Sequence, residues 1–220
     1  MRAWRTSLWI VAILLIGISS CLGIGTLLYH NILPWFNKSY GQLRRNVYYE
    51  SGLVRFEIVS LGQPRIRAIG GIPTRYEYTW KDTQGYEVAF VARCIIDKAF
   101  EGLSCKEIQK KMEQIALQGR REEGWVLQFQ ESFRLGGGNN IATLQVYQKS
   151  NQLTEWLIIA HPQLPGGFVF SYRVDIHKTD LDHYRSAVHS VWRTIDLLAV
   201  VDVDTVIEDI VPLDKQPTVP

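Results

Sequence analysis

From Ser7 to Tyr29 the chain runs for 23 residues, SLWIVAILLIGISSCLGIGTLLY, without a charged side chain. A helix rising about 1.5 Å per residue over that length crosses a hydrocarbon core of about 30 Å. The feature divides the chain before any other is considered: a basic tail over residues 1–6, a transmembrane anchor over 7–29, a juxtamembrane linker over 30–51, a domain over 52–199, and an acidic tail over 200–220. Trp4 and Trp9 on one side and Tyr29, Trp35 and Phe36 on the other are the amphipathic rings that settle at membrane interfaces. Two other readings stay open. Arg2 and Arg5 also suit the basic start of a cleaved secretory signal, although the apolar run continues past the length of an ordinary signal core. Ile18-Ser19-Ser20-Cys21 resembles a lipobox, which would anchor the chain as a lipoprotein through Cys21, although the residues after it are apolar where a polar tether is expected.

Charge supports the same division. The 24 basic and 22 acidic residues nearly cancel, but residues 38–75 hold seven basic and two acidic side chains, and residues 198–220 hold five acids and one Lys. The folded part carries no basic excess of the size that nucleic acid demands, so a nucleic-acid partner is excluded. Lys38, Arg44 and Arg45 follow the anchor closely and are the residues expected to meet anionic headgroups of the bilayer, at roughly 1 kcal/mol per charge. A short basic tail before a signal anchor places the following domain outside the cytoplasm.

Beyond the linker, alternation of apolar and polar side chains predicts strands around Val54-Phe56-Ile58, Tyr76-Tyr78-Trp80 and Val88 to Ile96. A second series, Trp125-Leu127-Phe129-Phe133, then Ile141 to Lys149, Leu153 to His161 and Phe168 to Ile176, reads as a four-strand antiparallel meander. Ser104 with Glu107 has capping-box spacing before a helix whose apolar face is Ile108, Met112, Ile115 and Ala116, ended by Gly119. Thr179 with Asp182 opens a second helix with the stripe Leu181, Tyr184, Val188, Val191, Trp192, Ile195 and Leu198. The fold class is α+β, an antiparallel sheet packed by two helices.

Residues able to do chemistry are scattered. Asp175, His177 and His183, with Asp180 and Asp182, combine carboxylate and imidazole as a metal site does, but the acids also suit the first turn of a helix. His161 at a strand end and Cys105 in the first turn of a helix are the weak catalytic candidates; a helix dipole there would lower a thiol pKa. Cys94 and Cys105, on strand and helix with ten residues between them, would form a disulfide in an oxidising compartment and stay reduced elsewhere. Gly136 to Gly138 runs into a strand, so it is a hairpin connection and not a phosphate loop. No residue pattern asks for a cofactor, and no catalytic set converges.

The series Gly167-Phe168-Val169-Phe170-Ser171-Tyr172-Arg173-Val174, leading through a polar turn into Asp182-His183-Tyr184-Arg185-Ser186-Ala187-Val188 and Val191-Trp192-Arg193-Thr194-Ile195, resembles the PsbP-like family over about half the chain. That resemblance implies an α/β/α sandwich in a thylakoid lumen or a periplasm, and the role of an extrinsic assembly or stabilising factor without catalysis. The family's usual amino-terminal Pro-x-x-Trp region has no counterpart here, and none of its functional residues carries over. The expectation is a single-pass anchored, non-catalytic binding or assembly factor whose partners are the bilayer and a membrane-protein subunit. The alternative is an envelope small-ligand binder or hydrolase-like enzyme.

Overall fold

A computed structural model describes residues 43–50, 52–70, 75–135 and 140–200, without the side chains of 49 and 50. The chain divides into compact units after Leu43, and the described elements belong to the second. The expected span over 7–29, Cys21, Lys38 and the glycines at 136–138 lie outside the described residues. Among those described, no helix is long and apolar enough to cross a membrane.

The architecture is α+β, with two sheets and two helices. The strands are β1 (Leu43–Glu50), β2 (Val54–Leu61), β3 (Arg65–Ala68), β4 (Arg75–Lys81), β5 (Glu87–Ile96), β6 (Val126–Arg134), β7 (Ile141–Lys149), β8 (Gln152–Ala160), β9 (Gly166–Asp175) and β10 (Asp196–Leu197). Helix α1 (Cys105–Glu122) follows β5, and α2 (Leu181–Trp192) follows β9. Seven strands form one antiparallel sheet in the order β3-β4-β5-β9-β8-β7-β6, and β1-β2-β10 form a smaller one. The meander expected from the later sequence is the run β6 to β9.

Period-two burial explains the large sheet. In β5 the even residues from Val88 to Ile96 are buried, and they join Tyr78, Trp80, Phe168 and Phe170 in the main core. Phe56 of β2 inserts between Tyr78, Phe90 and Phe170, with ring centroids 5.0, 5.6 and 5.9 Å away. Edge-on contacts of this kind stabilise aromatic pairs beyond simple area burial. Helix α2 closes the same side with Val188, Val191 and Trp192. The opposite face carries α1 over a smaller core of Phe100, Ile108, Met112, Ala116, Ile158, Ala160 and Val169. At the start of β9 the neighbouring backbones come so close that a Cβ on Gly166 would lie 1.9 Å from the Ile95 carbonyl oxygen, and one on Gly167 2.0 Å from that of Ile159. Only glycine fits there.

Several local expectations are corrected. Residues 43–50, read as part of a linker, are the strand β1. The capping box at Ser104 and Glu107 is present in both directions, but α1 runs through Gly119 to Glu122, and the positive-φ glycine after it is Gly124 at +81°. Ile115 is 45% exposed, and the buried position is Gln109, whose amide bonds the Ile158 carbonyl at 3.0 Å and the Ala160 N–H at 2.6 Å. Asp180, not Thr179, caps α2 by accepting from the His183 N–H. That helix stops at Trp192 because the Thr194 hydroxyl takes the Glu57 N–H at 2.8 Å and the chain turns into β10 against β2. Strand β6 is a sheet edge, mostly exposed, and a bulge between Leu127 and Phe129 shifts its phase, leaving Phe129 49% exposed.

Candidate functional site

The residues singled out for chemistry are held in separate structural bonds. His161 is buried; its Nδ1 accepts the Gln163 N–H at 3.2 Å, so Nε2 carries the proton and donates to the Leu198 carbonyl at 2.9 Å. Burial pushes its pKa below the ordinary imidazole value, against the opposing effect of the Leu198 bond. With both ring nitrogens engaged, His161 is no base for Cys105. The Cys105 thiol bonds the Ala160 carbonyl at 3.8 Å, and burial raises its pKa, the opposite of the activation expected from the helix dipole. The Cys94–Cys105 disulfide is not formed. Cys94 faces the main core on the α2 side of the sheet, whereas Cys105 sits at the start of α1 on the other side.

The metal candidates do not converge. Asp175 caps its own turn: Oδ1 accepts the His177 N–H, and Oδ2 accepts from Asn151, each at 3.0 Å. His183 is paired through Nε2 with Oδ2 of Asp82, whose Oδ1 takes the N–H groups of Gln84 and Tyr86. That pair ties the β4–β5 turn to the first turn of α2, with the Tyr86 ring 4.7 Å from the imidazole. Among the described residues no group of three or more His, Cys, Asp or Glu side chains is placed to hold an ion. Of the expected headgroup contacts, Arg45 bonds Glu57 at 3.3 Å, and Arg44 is exposed on β1.

Two buried polar networks escaped the sequence. Glu155 of β8 has a fully buried side chain and accepts from Arg185 Nε at 2.5 Å and His189 Nε2 at 2.6 Å. Burial alone would raise its pKa, but the His189 bond and the Arg185 charge prevail and lower it. The signal was legible, because Glu155 falls in phase with inward-facing Leu153 and Leu157, and Arg185 and His189 are four apart on one helix face. Under α1, Thr143 donates to Glu113 at 2.6 Å, Gln109 donates to the same oxygen at 3.1 Å, and Gln145 donates to Gln130 at 3.1 Å. Tyr147 donates to Gln145 at 2.6 Å, and burial pushes its pKa up to about 12. These bonds anchor the helix through polar contacts where the other face uses apolar ones.

Helix α1 packs mainly on β8, with lesser contact to β6 and β9, and Ile95 of β5 joins the core beneath it. Arg75 and Arg93 are direct partners across β4 and β5, an arrangement that is unfavourable for like charges. Arg93 is half-buried, and its pKa is lowered first by burial and then by Arg75. On the flank, the Arg173 guanidinium lies 4.9 Å from the Trp125 ring and that of Arg120 lies 4.4 Å from the Trp156 ring. Neighbouring acids are already engaged: Glu77 by Arg67, Glu87 by Arg65 and Glu123 by Arg120, each at 2.8 Å. No family model matches the sequence, and no curated protein matches it significantly.

Proposed function

We propose that the protein is a single-pass, membrane-anchored binding factor that assembles or stabilises a membrane-protein complex through an extracytoplasmic α+β domain. The observation that carries this reading is the contrast within the domain. Among the described residues, the candidates His161, Cys105, Asp175 and His183 are engaged in structural bonds, while Arg75 and Arg93 stand opposite one another across β4 and β5. A contrast of that kind fits a domain that recognises a partner without transforming it. The uncharged run over 7–29 supplies the anchor, and the α+β architecture is compatible with the PsbP-like resemblance and the extrinsic role it implies.

Purification of the full chain in mild detergent tests the proposal. A stoichiometric membrane-protein companion is expected, and a protein that runs alone from its native membrane refutes it. Protease treatment of sealed vesicles tests the side: protection of the domain in right-side-out cytoplasmic vesicles would refute the extracytoplasmic placement.

A further inference from the structure

Resting on that reading, we infer that the outer edge of β6, from Phe129 to Arg134, is a docking site for an extended segment of the partner protein, which joins the large sheet as a further strand. Strand β6 ends the order of the seven-stranded sheet, so no strand among the described residues pairs with its outer side. Most of its nine residues are exposed. An edge in this state is a template for another extended chain, and natural sheets usually blunt it. The opposite edge is blunted: β3 has only four residues, and two of them are arginines tied to Glu87 and Glu77. Strand β6 is twice as long and holds neither proline nor lysine. Its one register shift lies between Leu127 and Phe129; from Phe129 to Arg134 it pairs with Val146 to Ile141 residue for residue. That stretch is regular enough to take a second neighbour.

The side chains fix what can bind. Phe129, Glu131 and Phe133 lie opposite Val146, Leu144 and Ala142 of the main core and share that face. They follow one another about every 7 Å. Phe129 is 49% exposed and Phe133 is half-buried. Gln130, Ser132 and Arg134 share the other face, where Gln130 and Ser132 are bonded to Gln145 and Thr143. Glu131 and Arg134 are exposed, and neither forms a salt bridge with another described residue. Directly opposed side chains interact across neighbouring strands, so the strand that fits carries apolar residues opposite Phe129 and Phe133, a base opposite Glu131 and an acid opposite Arg134. Run antiparallel like the rest of the sheet, it reads acid, apolar, polar, basic, polar, apolar. A second copy does not supply this pattern. The symmetric register that sets Phe129 against Phe133 also sets Glu131 against Glu131, and a shift of two residues either way sets Glu131 against a phenylalanine. The partner's own strand is therefore the occupant.

The test uses the full chain in detergent micelles and a fluorescent peptide containing Glu-Val-Thr-Lys-Thr-Val, compared with the same peptide after exchange of Glu and Lys. The first should bind several-fold more tightly, because the exchange turns two cross-strand attractions into repulsions. Glu131→Lys, at an exposed position, should weaken that peptide several-fold and improve binding of the version in which Lys is replaced by Glu. Methylating one alternate set of the peptide's backbone amides should abolish binding, and methylating the other set should leave it, as pairing along one edge requires. Equal binding of the exchanged peptide, no reversal by Glu131→Lys, or equal effects of the two methylated sets overturns the proposal. So does a dimer that Phe129→Asp dissociates, which makes a second copy the occupant. Peptide binding that requires removal of residues 201–220 overturns it too, because that segment is then the occupant. If the native companion co-purifies equally with the parent and with the double variant Phe129→Asp, Glu131→Lys, the docking edge fails and the assembly reading stands. If the peptides behave as expected and no companion exists, the assembly reading fails instead.

Discussion

Replacing Glu155 by Gln removes one charge from the molecule's most enclosed ion-pair network while conserving shape. The carboxylate is fully buried and accepts from Arg185 and His189 at 2.5 and 2.6 Å. An amide offers one oxygen and one NH2 group, so one of the two cationic or N–H partners must face another donor. Breaking a fully buried pair costs about 3–5 kcal/mol. Arg185 and His189 are 34% and 28% exposed, so water recovers part of their solvation. The expected loss is therefore that of a charged hydrogen bond, about 2–3 kcal/mol. For a domain of this size that lowers Tm by roughly 4–12 °C. Thermal and urea unfolding of the full chain in detergent measures it, and a double-mutant cycle with Arg185→Met should return a coupling of about 1–3 kcal/mol. The sign of the pH dependence follows from the lowered pKa of Glu155: its stabilisation is complete above the unfolded carboxyl value of 4.5 and fades as pH falls through the folded value. The deficit of the variant should therefore shrink in acid. A Tm change under about 2 °C, well below the shift expected for one charged hydrogen bond, or a deficit that persists unchanged in acid, refutes the reasoning.

Other perturbations probe separate parts of the fold. Gly167→Ala puts a methyl group 2.0 Å from the Ile159 carbonyl oxygen between two strands, and the variant should fail to accumulate as folded protein; a normal unfolding transition would contradict the close approach. His161 is held neutral by burial, so the parent should lose stability as pH falls from the unfolded imidazole value of 6.5 toward the lower folded one, and His161→Leu should flatten that slope in denaturant titrations. Ser104→Ala removes the hydroxyl arm of the α1 capping box, keeps the Glu107 carboxylate on the backbone N–H of residue 104, and should cost about 1 kcal/mol, read from the urea midpoint. Cys105, with its raised pKa, should alkylate more slowly at neutral pH than a free model thiol; reaction faster than the model would contradict the assigned environment.

What the sequence discloses and what it hides differ in physical kind. Strands β5 and β9 were readable because burial on at least one face imposes alternating apolar residues, and Ser104 was readable because a capping box is a local device. Strand β3 is four exposed residues, Arg-Ile-Arg-Ala, too short for its alternation to mark a strand, and the two residues of β10 are set by pairing with β2 after α2 has ended. Phe129 misled because the bulge beside it changes the phase of β6, an event visible only against β7. Ile115 misled because Gln109 out-competes it for the sheet by bonding backbone groups of β8, which periodicity counts as a polar position. The arginine face was hidden for a related reason. Arg75, Arg93, Arg120 and Arg173 are dispersed over nearly a hundred residues, and only strand register and one helix bring them together.

The same register changes the meaning of the basic stretch after the anchor. As a string, residues 38–75 look like a linker with five net positive charges for a lipid surface. Folded, Arg45 and Arg55 share Glu57, Arg65 meets Glu87, and Arg67 meets Glu77, so four of those charges are spent inside the two sheets. Arg75 is treated differently, because its cross-strand partner is another arginine. Like charges set opposite one another cost stability that an apolar or acidic side chain at either position would spare, and β4 supplies an acid two residues away at Glu77. Much of the charge that seemed directed at a bilayer is in this way matched by acids once the chain is folded.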